Sequence, residues 1–233
     1  MKLLITGATG LVGKELVKKA LEQGMIIHYL TTHKSKTKTI IGARGFYWNP
    51  SSQEIDSSCF EGVDVIVHLA GATISKRWTA AYKKIILASR VDSTRLLENA
   101  LKKTKGKNQV KQIIGASAIG IYSNDFKNIA TEETEVSSNS FLERVVIDWE
   151  AASAVFKTMN IKVTTLRIGL VIAANGGVVA AMKIPILFGL GAAFGNGSQG
   201  QSWIHIKDLV GIILFSVTTK LEGIYNAVAP NPV

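Results

Sequence analysis

The chain has a single cysteine, Cys59, so no disulfide can form within it, and a reducing cytoplasm is the compartment expected. No secretion signal is read at the start, because Gly7, Gly10 and Gly13 break the apolar run after Lys2 and no small-residue cleavage site follows. No membrane-spanning helix is expected either. The longest apolar stretch, residues 168–190, is interrupted by Asn175, Gly176, Gly177, Lys183 and Pro185. The four histidines (His28, His33, His68 and His205) lack metal-ligand spacing, and Cys59 has no paired histidine signature. Metal centres and cysteine nucleophiles are set aside on that ground. There is no internal repeat and no low-complexity tract. Acidic residues are scarce: 17 stand against 27 lysines and arginines, for a formal charge of +10. The lysines cluster at 14–19, 34–38 and 102–111, with no arginine-rich tail and no aromatic stacking motif. They belong on solvated helix faces and loops, and nucleic acid is the minor reading.

A chain of 233 residues, 47% hydrophobic, can bury one sizeable core with room for a small annex. Residues 2–6 read as a short buried strand, 11–23 as a helix and 25–31 as a second β-rich run, which makes a β-α-β unit. Further strands are expected at 63–69, 112–117 and 162–167. Long helices are expected at 80–103 and at 141–159, the second opening with Ser140 and Glu143 at capping-box spacing. Strands alternating with helices imply an α/β fold: a doubly wound, mostly parallel sheet that binds ligands at the carboxyl ends of its strands.

The stretch "KLLITGATGLVGKELV" places Gly7, Gly10 and Gly13 between the first strand and the first helix. Glycines there let the backbone turn tightly and approach a pyrophosphate, while free N–H groups at the helix start attract its charge. A dinucleotide is the expected ligand; a glycine-rich turn without a ligand is the alternative. The acidic residue that would hold the ribose hydroxyls of NAD after the second strand is absent, and "TTHKSK" stands there. Thr32, His33 and Lys34 suit a 2′-phosphate, which favours NADP (NADPH) over NAD. A loop of solvated lysines would look the same.

The segments "TGATGLVG", "VIVHLAGATI", "RW" at Arg77 and Trp78, "SR" at Ser89 and Arg90, "ASAIGIY", "DWEAA", "LRIGLVI", "NGG", "SWIHIKDLVG" and "NAVAPNPV" occur in an order that resembles one group. It is the atypical extended short-chain dehydrogenase/reductases labelled epimerase family protein, some of them described as cell-division inhibitors. The resemblance implies a Rossmann-type core over 1–165 that binds NADP(H), completed over 166–233 by a mixed segment that also forms a small substrate region. It carries Gly7, Gly10 and Gly13 onto the phosphate loop and sets Thr9, Leu11 and Val12 beside the pyrophosphate. Leu69, Ala70 and Gly71 would pack along the cofactor, joined by Ala116; Arg167 and Gly169 would lie past the nicotinamide. Arg77, Trp78 and Trp203 are the substrate-side candidates. Plainer readings stand beside these: Trp149 and Trp203 as core or interface anchors, His205 as a structural histidine, Asp208 as a helix cap. Resembling proteins continue past the position of Val233, so the chain is expected to lack the family's C-terminal end.

The chain departs from the wider superfamily at its catalytic pair. Where a Tyr-x-x-x-Lys would stand, counting from Glu150 places Leu142 and Val146, neither of which can move a proton. The superfamily's serine falls on Ala118, next to Ser117. Ser117 and Tyr122, at the end of the 112–117 strand, are the candidate catalytic residues. A tyrosine, with a reference pKa of about 10, needs a cationic neighbour to act near neutrality, and Arg77, Lys83 and Arg90 are the candidates for it. Tyr122 as a wall of the substrate pocket is the competing reading. The expected function is an NADP(H)-dependent oxidoreductase or epimerase acting on an unknown small molecule. The alternatives are a catalytically silent NADP-binding protein that regulates a protein partner, and an RNA-binding module; the macromolecular partners considered are another protein and a second copy of the chain in a homodimer. The glycine-rich stretch 189–200 is expected to be a loop shaping the pocket.

Overall fold

The protein is described by a computed structural model covering residues 1–122, 129–174, 176–189, 191 and 200–232. The chain begins with β1 (Lys2–Thr6), whose apolar side chains are buried on both faces, and turns into α1 (Leu11–Glu22), which buries Leu16, Val17 and Ala20. β2 (Ile26–Thr31) returns parallel to β1, followed by β3 (Ala43–Asn49) and a short antiparallel partner, β4 (Glu54–Ile55). β5 (Val65–His68) crosses to the other side of β1. Next come α2 (Ala80–Lys103), β6 (Gln112–Ala118), α3 (Phe141–Ala154) and β7 (Lys162–Ile168). β8 (Leu170–Ala173), α4 (Gly177–Leu187), β9 (Trp203–His205), α5 (Ile206–Thr219) and β10 (Gly223–Ala227) complete the order.

The main sheet runs β10-β7-β6-β5-β1-β2-β3-β4, parallel throughout except for β4, while β8 and β9 form a separate two-stranded ladder. This is the doubly wound Rossmann-type α/β fold expected from the alternation of strands and helices. Strand pleating divides the core in two. Leu3 and Ile5 face the layer of α1 and α5 with Leu16 and Ile213, whereas Leu4, Ile66 and Ile113 face the α2 layer with Leu97 and Phe156. Strand order reverses at β1, which lies between β5 and β2, so the crevice beyond its carboxyl end is the topological switch point.

Several boundaries differ from the sequence reading. The helix expected over 141–159 ends as α-helix at Ala154 and tightens into a 3-10 segment, Val155–Met159, stopped by Asn160 at φ 60°. Its start is a capping box: Ser140 Oγ accepts the Glu143 N–H at 3.1 Å, and Glu143 Oε2 accepts the Ser140 N–H at 2.9 Å. That backbone hydrogen bond holds the Glu143 carboxyl below its usual range. The last helix is capped by His205, whose Nδ1 accepts the Lys207 N–H at 3.3 Å, and Asp208 lies in its first turn, not at the cap. Most of the stretch 189–200, read as a pocket loop, lies outside the described residues. Among the described residues no helix is long and apolar enough to cross a membrane.

A candidate dinucleotide crevice and an adjoining buried ion pair

The three glycines of the first turn differ in what requires them. Gly7 sits at φ +70°, and a Cβ on it would come within 2.9 Å of the Leu69 carbonyl carbon. A Cβ on Gly13 would fall 2.7 Å from Ala8 Cα, because α1 packs directly on the turn. Gly10 is under neither constraint. Its backbone is ordinary (φ −75°, ψ 178°), and an added Cβ would meet only the Gly7 carbonyl oxygen, at 3.2 Å. Gly10 and Thr9 are exposed, Leu11 and Val12 are half-buried, and Gly10 caps α1 without a side chain. The first turn of α1 holds no acidic residue. The helix N-terminus therefore presents its N–H groups and partial positive charge to the crevice.

The other wall is the segment 69–72 after β5. Thr6 Oγ1 accepts the N–H groups of Leu69 and Ala70 at 3.1 and 3.0 Å and contacts His68 Nδ1 at 2.7 Å. With its lone pairs engaged, the Thr6 hydroxyl donates to Nδ1, which assigns the imidazole proton to Nε2. Nε2 in turn faces Ser93 and Thr94 of α2, both at 3.1 Å. His68 is fully buried, and burial lowers its pKa to about 4. It is a neutral structural link between β1, β5 and α2.

Beyond β2, Lys34 Nζ stands 5.0 Å from the centroid of the Tyr47 ring, at the same end of the sheet as Thr31. Thr32 and His33 are exposed beside it, and Lys36 follows in the same 3-10 turn. No carboxylate pairs with any of them among the described residues.

Ser117 and Tyr122 come together through two residues that sequence reasoning did not connect. Ser117 Oγ donates to Glu150 Oε1 at 2.5 Å, and Arg167 grips the same carboxylate through Nε and Nη2, each at 3.0 Å. Arg167 Nη1 donates to the Tyr122 hydroxyl at 2.8 Å, and that hydroxyl donates to Asn226 Oδ1 at 2.7 Å. Burial alone would lower the Arg167 pKa, but the hydrogen bonds it donates to Glu150 and Tyr122 and their Coulomb attraction outweigh it and raise the value above that of a free guanidinium. The cation beside Tyr122 is thus Arg167, which the resemblance had set against the nicotinamide. None of Arg77, Lys83 and Arg90 fills that place: Lys83 lies over Phe141, Arg90 over Trp149, and Arg77 is exposed. A signal for the ion pair existed in the sequence, since an arginine inside the apolar strand "KVTTLRI" requires a counter-charge.

Leu142 is half-buried and Val146 buried on α3. Ala116 pairs in register with Leu166. Packing accounts for Gly169, because a Cβ there would sit 2.8 Å from the Ser202 carbonyl oxygen. Trp78 meets Phe141 edge-on at 5.8 Å, on the segment that leads into α2. Trp203 lies apart on β9, its Nε1 donating to the Asn231 carbonyl at 3.2 Å. Trp149 is buried beneath Arg90. No cluster of three or more His, Cys, Asp or Glu suited to a metal ion occurs among the described residues.

A family model described as NAD dependent epimerase/dehydratase family matches residues 3–227. An epimerase family protein of Staphylococcus saprophyticus is 35% identical over 228 residues, covering 97% of this chain and 74% of the relative. One from Staphylococcus haemolyticus is 36% identical over 228 residues, with the same shares covered, 97% and 74%. Among solved structures, a human epimerase family protein with NADPH superposes with a TM-score of 0.82 at 25% identity, over 99% of this chain and 75% of that one. A nucleoside-diphosphate sugar epimerase from Corynebacterium glutamicum superposes with a TM-score of 0.83 at 33% identity, over 100% of this chain and 47% of that one.

Proposed function

The chain belongs to the NAD dependent epimerase/dehydratase family, and from that premise we propose that it binds NADPH in preference to NADH and uses it in hydride chemistry on a small molecule. The observation that carries the dinucleotide is Gly10. Its backbone angles do not require glycine and its packing constrains it far less than that of Gly7 or Gly13, a Cβ meeting only the Gly7 carbonyl oxygen at 3.2 Å, so the open space in front of it suits a close-approaching phosphate. The preference for NADPH rests on Lys34 and Lys36, which stand where an acidic residue would otherwise hold the ribose diol. The human relative solved with NADPH supports the same choice.

In this reading Gly10 and the N-terminal N–H groups of α1 hold the pyrophosphate, and residues 69–71 line the opposite wall. The bound nicotinamide would supply the hydride donor or acceptor. Proton movement falls to the pair at the end of β6. The Tyr122 hydroxyl gives its proton to a substrate oxygen by leaving Asn226, while Arg167 Nη1 keeps a charge-assisted hydrogen bond to the phenolic oxygen. Glu150 fixes Arg167 and orients Ser117, whose oxygen keeps a free acceptor site. Calorimetric titration of the wild type with NADPH and NADH tests the cofactor. NADPH should bind more tightly, and a Lys34→Glu, Lys36→Glu variant should lose that margin; equal affinities in the wild type would remove the argument.

A second reading is favoured by one observation: the Ser117 and Tyr122 hydroxyls are both engaged within the protein, by Glu150 and by Asn226 and Arg167. With Leu142 and Val146 in the places of the usual tyrosine and lysine, the chain would then be a catalytically silent NADPH binder acting on a protein partner. Tight NADPH binding without turnover of any carbonyl substrate distinguishes it.

A further inference from the structure

Ser89 and Arg90 are adjacent on α2, outside the glycine turn and outside the Glu150–Arg167 pair. Both reach one residue, Ala72. The Ser89 oxygen accepts the Ala72 N–H at 2.9 Å while its own proton goes to the Ile86 carbonyl at 3.0 Å. Arg90 approaches the Ala72 carbonyl with Nη1 and Nη2, each at 3.3 Å, and Nη1 also donates to Ile86 O at 2.9 Å. The guanidinium is closely packed: its central carbon lies 5.1 Å from the Trp149 ring centroid, and a Cβ on Gly71 would be 3.3 Å from it. No carboxylate pairs with it among the described residues, and burial lowers its pKa. Arg90 is half-buried, and a partly desolvated cation without a counter-charge is costly unless its geometry is needed.

We propose that Ser89 and Arg90 are positioning residues for the dinucleotide, holding the 69–72 wall of the crevice from the α2 side while Thr6 holds it from β1. The wall is gripped at both ends: Thr6 takes the N–H groups of Leu69 and Ala70, and the Ser89–Arg90 pair takes the N–H and the carbonyl of Ala72. Between those grips lies Gly71, exposed, its N–H without a partner among the described residues. This wall lies against the Gly7 turn, so its shape sets the width of the crevice at the pyrophosphate. A planar fork spans the carbonyls of Ala72 and Ile86 together, which a lysine cannot do from the same position.

The inference rests on the dinucleotide reading and is tested with the full chain and NADPH. Dissociation constants are measured by calorimetry well below the unfolding temperature, with the unfolding temperature of each ligand-free variant beside them. Ser89→Ala and Arg90→Met should each weaken NADPH by about tenfold or more, the scale of a lost, well-placed hydrogen bond. Arg90→Lys should fall between the wild type and Arg90→Met. Ser89→Thr, which keeps the hydroxyl, should restore affinity to within about threefold. A purely structural role would lower the unfolding temperature but leave the affinity of the folded variants within about twofold, and that result overturns the inference. If Arg90→Met does not fold, the Ser89 pair alone decides, since Ser89→Ala removes one oxygen. A wild type that binds neither NADPH nor NADH defeats the cofactor reading and this inference together; wild-type binding matched by every variant defeats only this one.

Discussion

Arg167 and Glu150 expose only 5% and 13% of their side chains and meet through two parallel hydrogen bonds, so neither charge has water to fall back on. Breaking such a pair from one side leaves the other charge buried, at a cost of about 3–5 kcal/mol. Glu150→Gln should therefore lower the unfolding free energy by about 3 kcal/mol in urea titration, and an Arg167→Met, Glu150→Met double variant should recover much of the loss. Recovery of nothing would show that the pair acts through something other than charge. That a strand arginine needs a partner was legible in "KVTTLRI"; that the partner is Glu150, the residue after the buried Trp149, is fixed only by the docking of α3 on β6 and β7. His68 makes a second residue-scale prediction. Its folded pKa is about 4 against an ordinary 6.5, so between these values the unfolded chain binds a proton that the folded chain refuses. Stability contributed by His68 is complete above pH 6.5 and is lost as pH falls toward 4, by about 2 kcal/mol between pH 6.5 and 5. Urea titrations across that range should show the slope, and His68→Gln should flatten it.

At the scale of elements, the turn between β1 and α1 holds two glycines that the fold requires, Gly7 and Gly13, and one, Gly10, that the proposal assigns to the ligand. Gly10→Ala should bind NADPH at least about tenfold more weakly while costing less stability than Gly13→Ala, since the backbone angles at Gly10 accept alanine and its Cβ would meet only the Gly7 carbonyl oxygen, at 3.2 Å. Gly13→Ala forces a Cβ against the Gly7 turn and should cost about 1–3 kcal/mol, the range of overpacked sites. If Gly10→Ala binds normally, the turn is structural throughout. The same stretch shows how much of the fold can be read in advance. β1, α1 and β2 are legible because an apolar run, a glycine turn and a helical stripe follow one another without interruption, and the start of α3 is legible because its capping box is local. β3 is not, because "ARGFYWN" mixes a charge, a glycine and an asparagine into seven residues and is a strand by virtue of its parallel register with β2. β8 and β9 escape reading for the same reason: four and three residues long, they owe their pairing to chain segments that the sequence holds far apart.

Across the whole molecule, Tyr122 has a structural tie and a proposed proton-transfer role, which one substitution reads on two different axes. Its hydroxyl accepts from Arg167 on β7 and donates to Asn226 on β10, so it ties the carboxyl ends of the sheet's far edge whether or not any proton ever leaves it. Tyr122→Phe keeps the ring and removes that tie, which should cost about 1–2 kcal/mol of stability in either case. Catalysis is read on a different axis. If Tyr122 carries the proton, Tyr122→Phe should lower kcat by about 10²- to 10⁴-fold at unchanged NADPH affinity, far beyond what the stability change can produce in a folded sample. Ser117→Ala should act more weakly, since the Ser117 proton goes to the carboxylate shared with Arg167 and leaves a substrate only an acceptor oxygen. Conservative changes at Leu142 and Val146, which have no ionisable group, should leave the pH–rate profile where it is. Near-full turnover by both Tyr122→Phe and Ser117→Ala would remove proton transfer from the end of β6. If instead NADPH binds tightly, Tyr122→Phe loses only stability, and no carbonyl substrate consumes the cofactor, the hydroxyl network is architecture and the silent, partner-regulating reading takes its place.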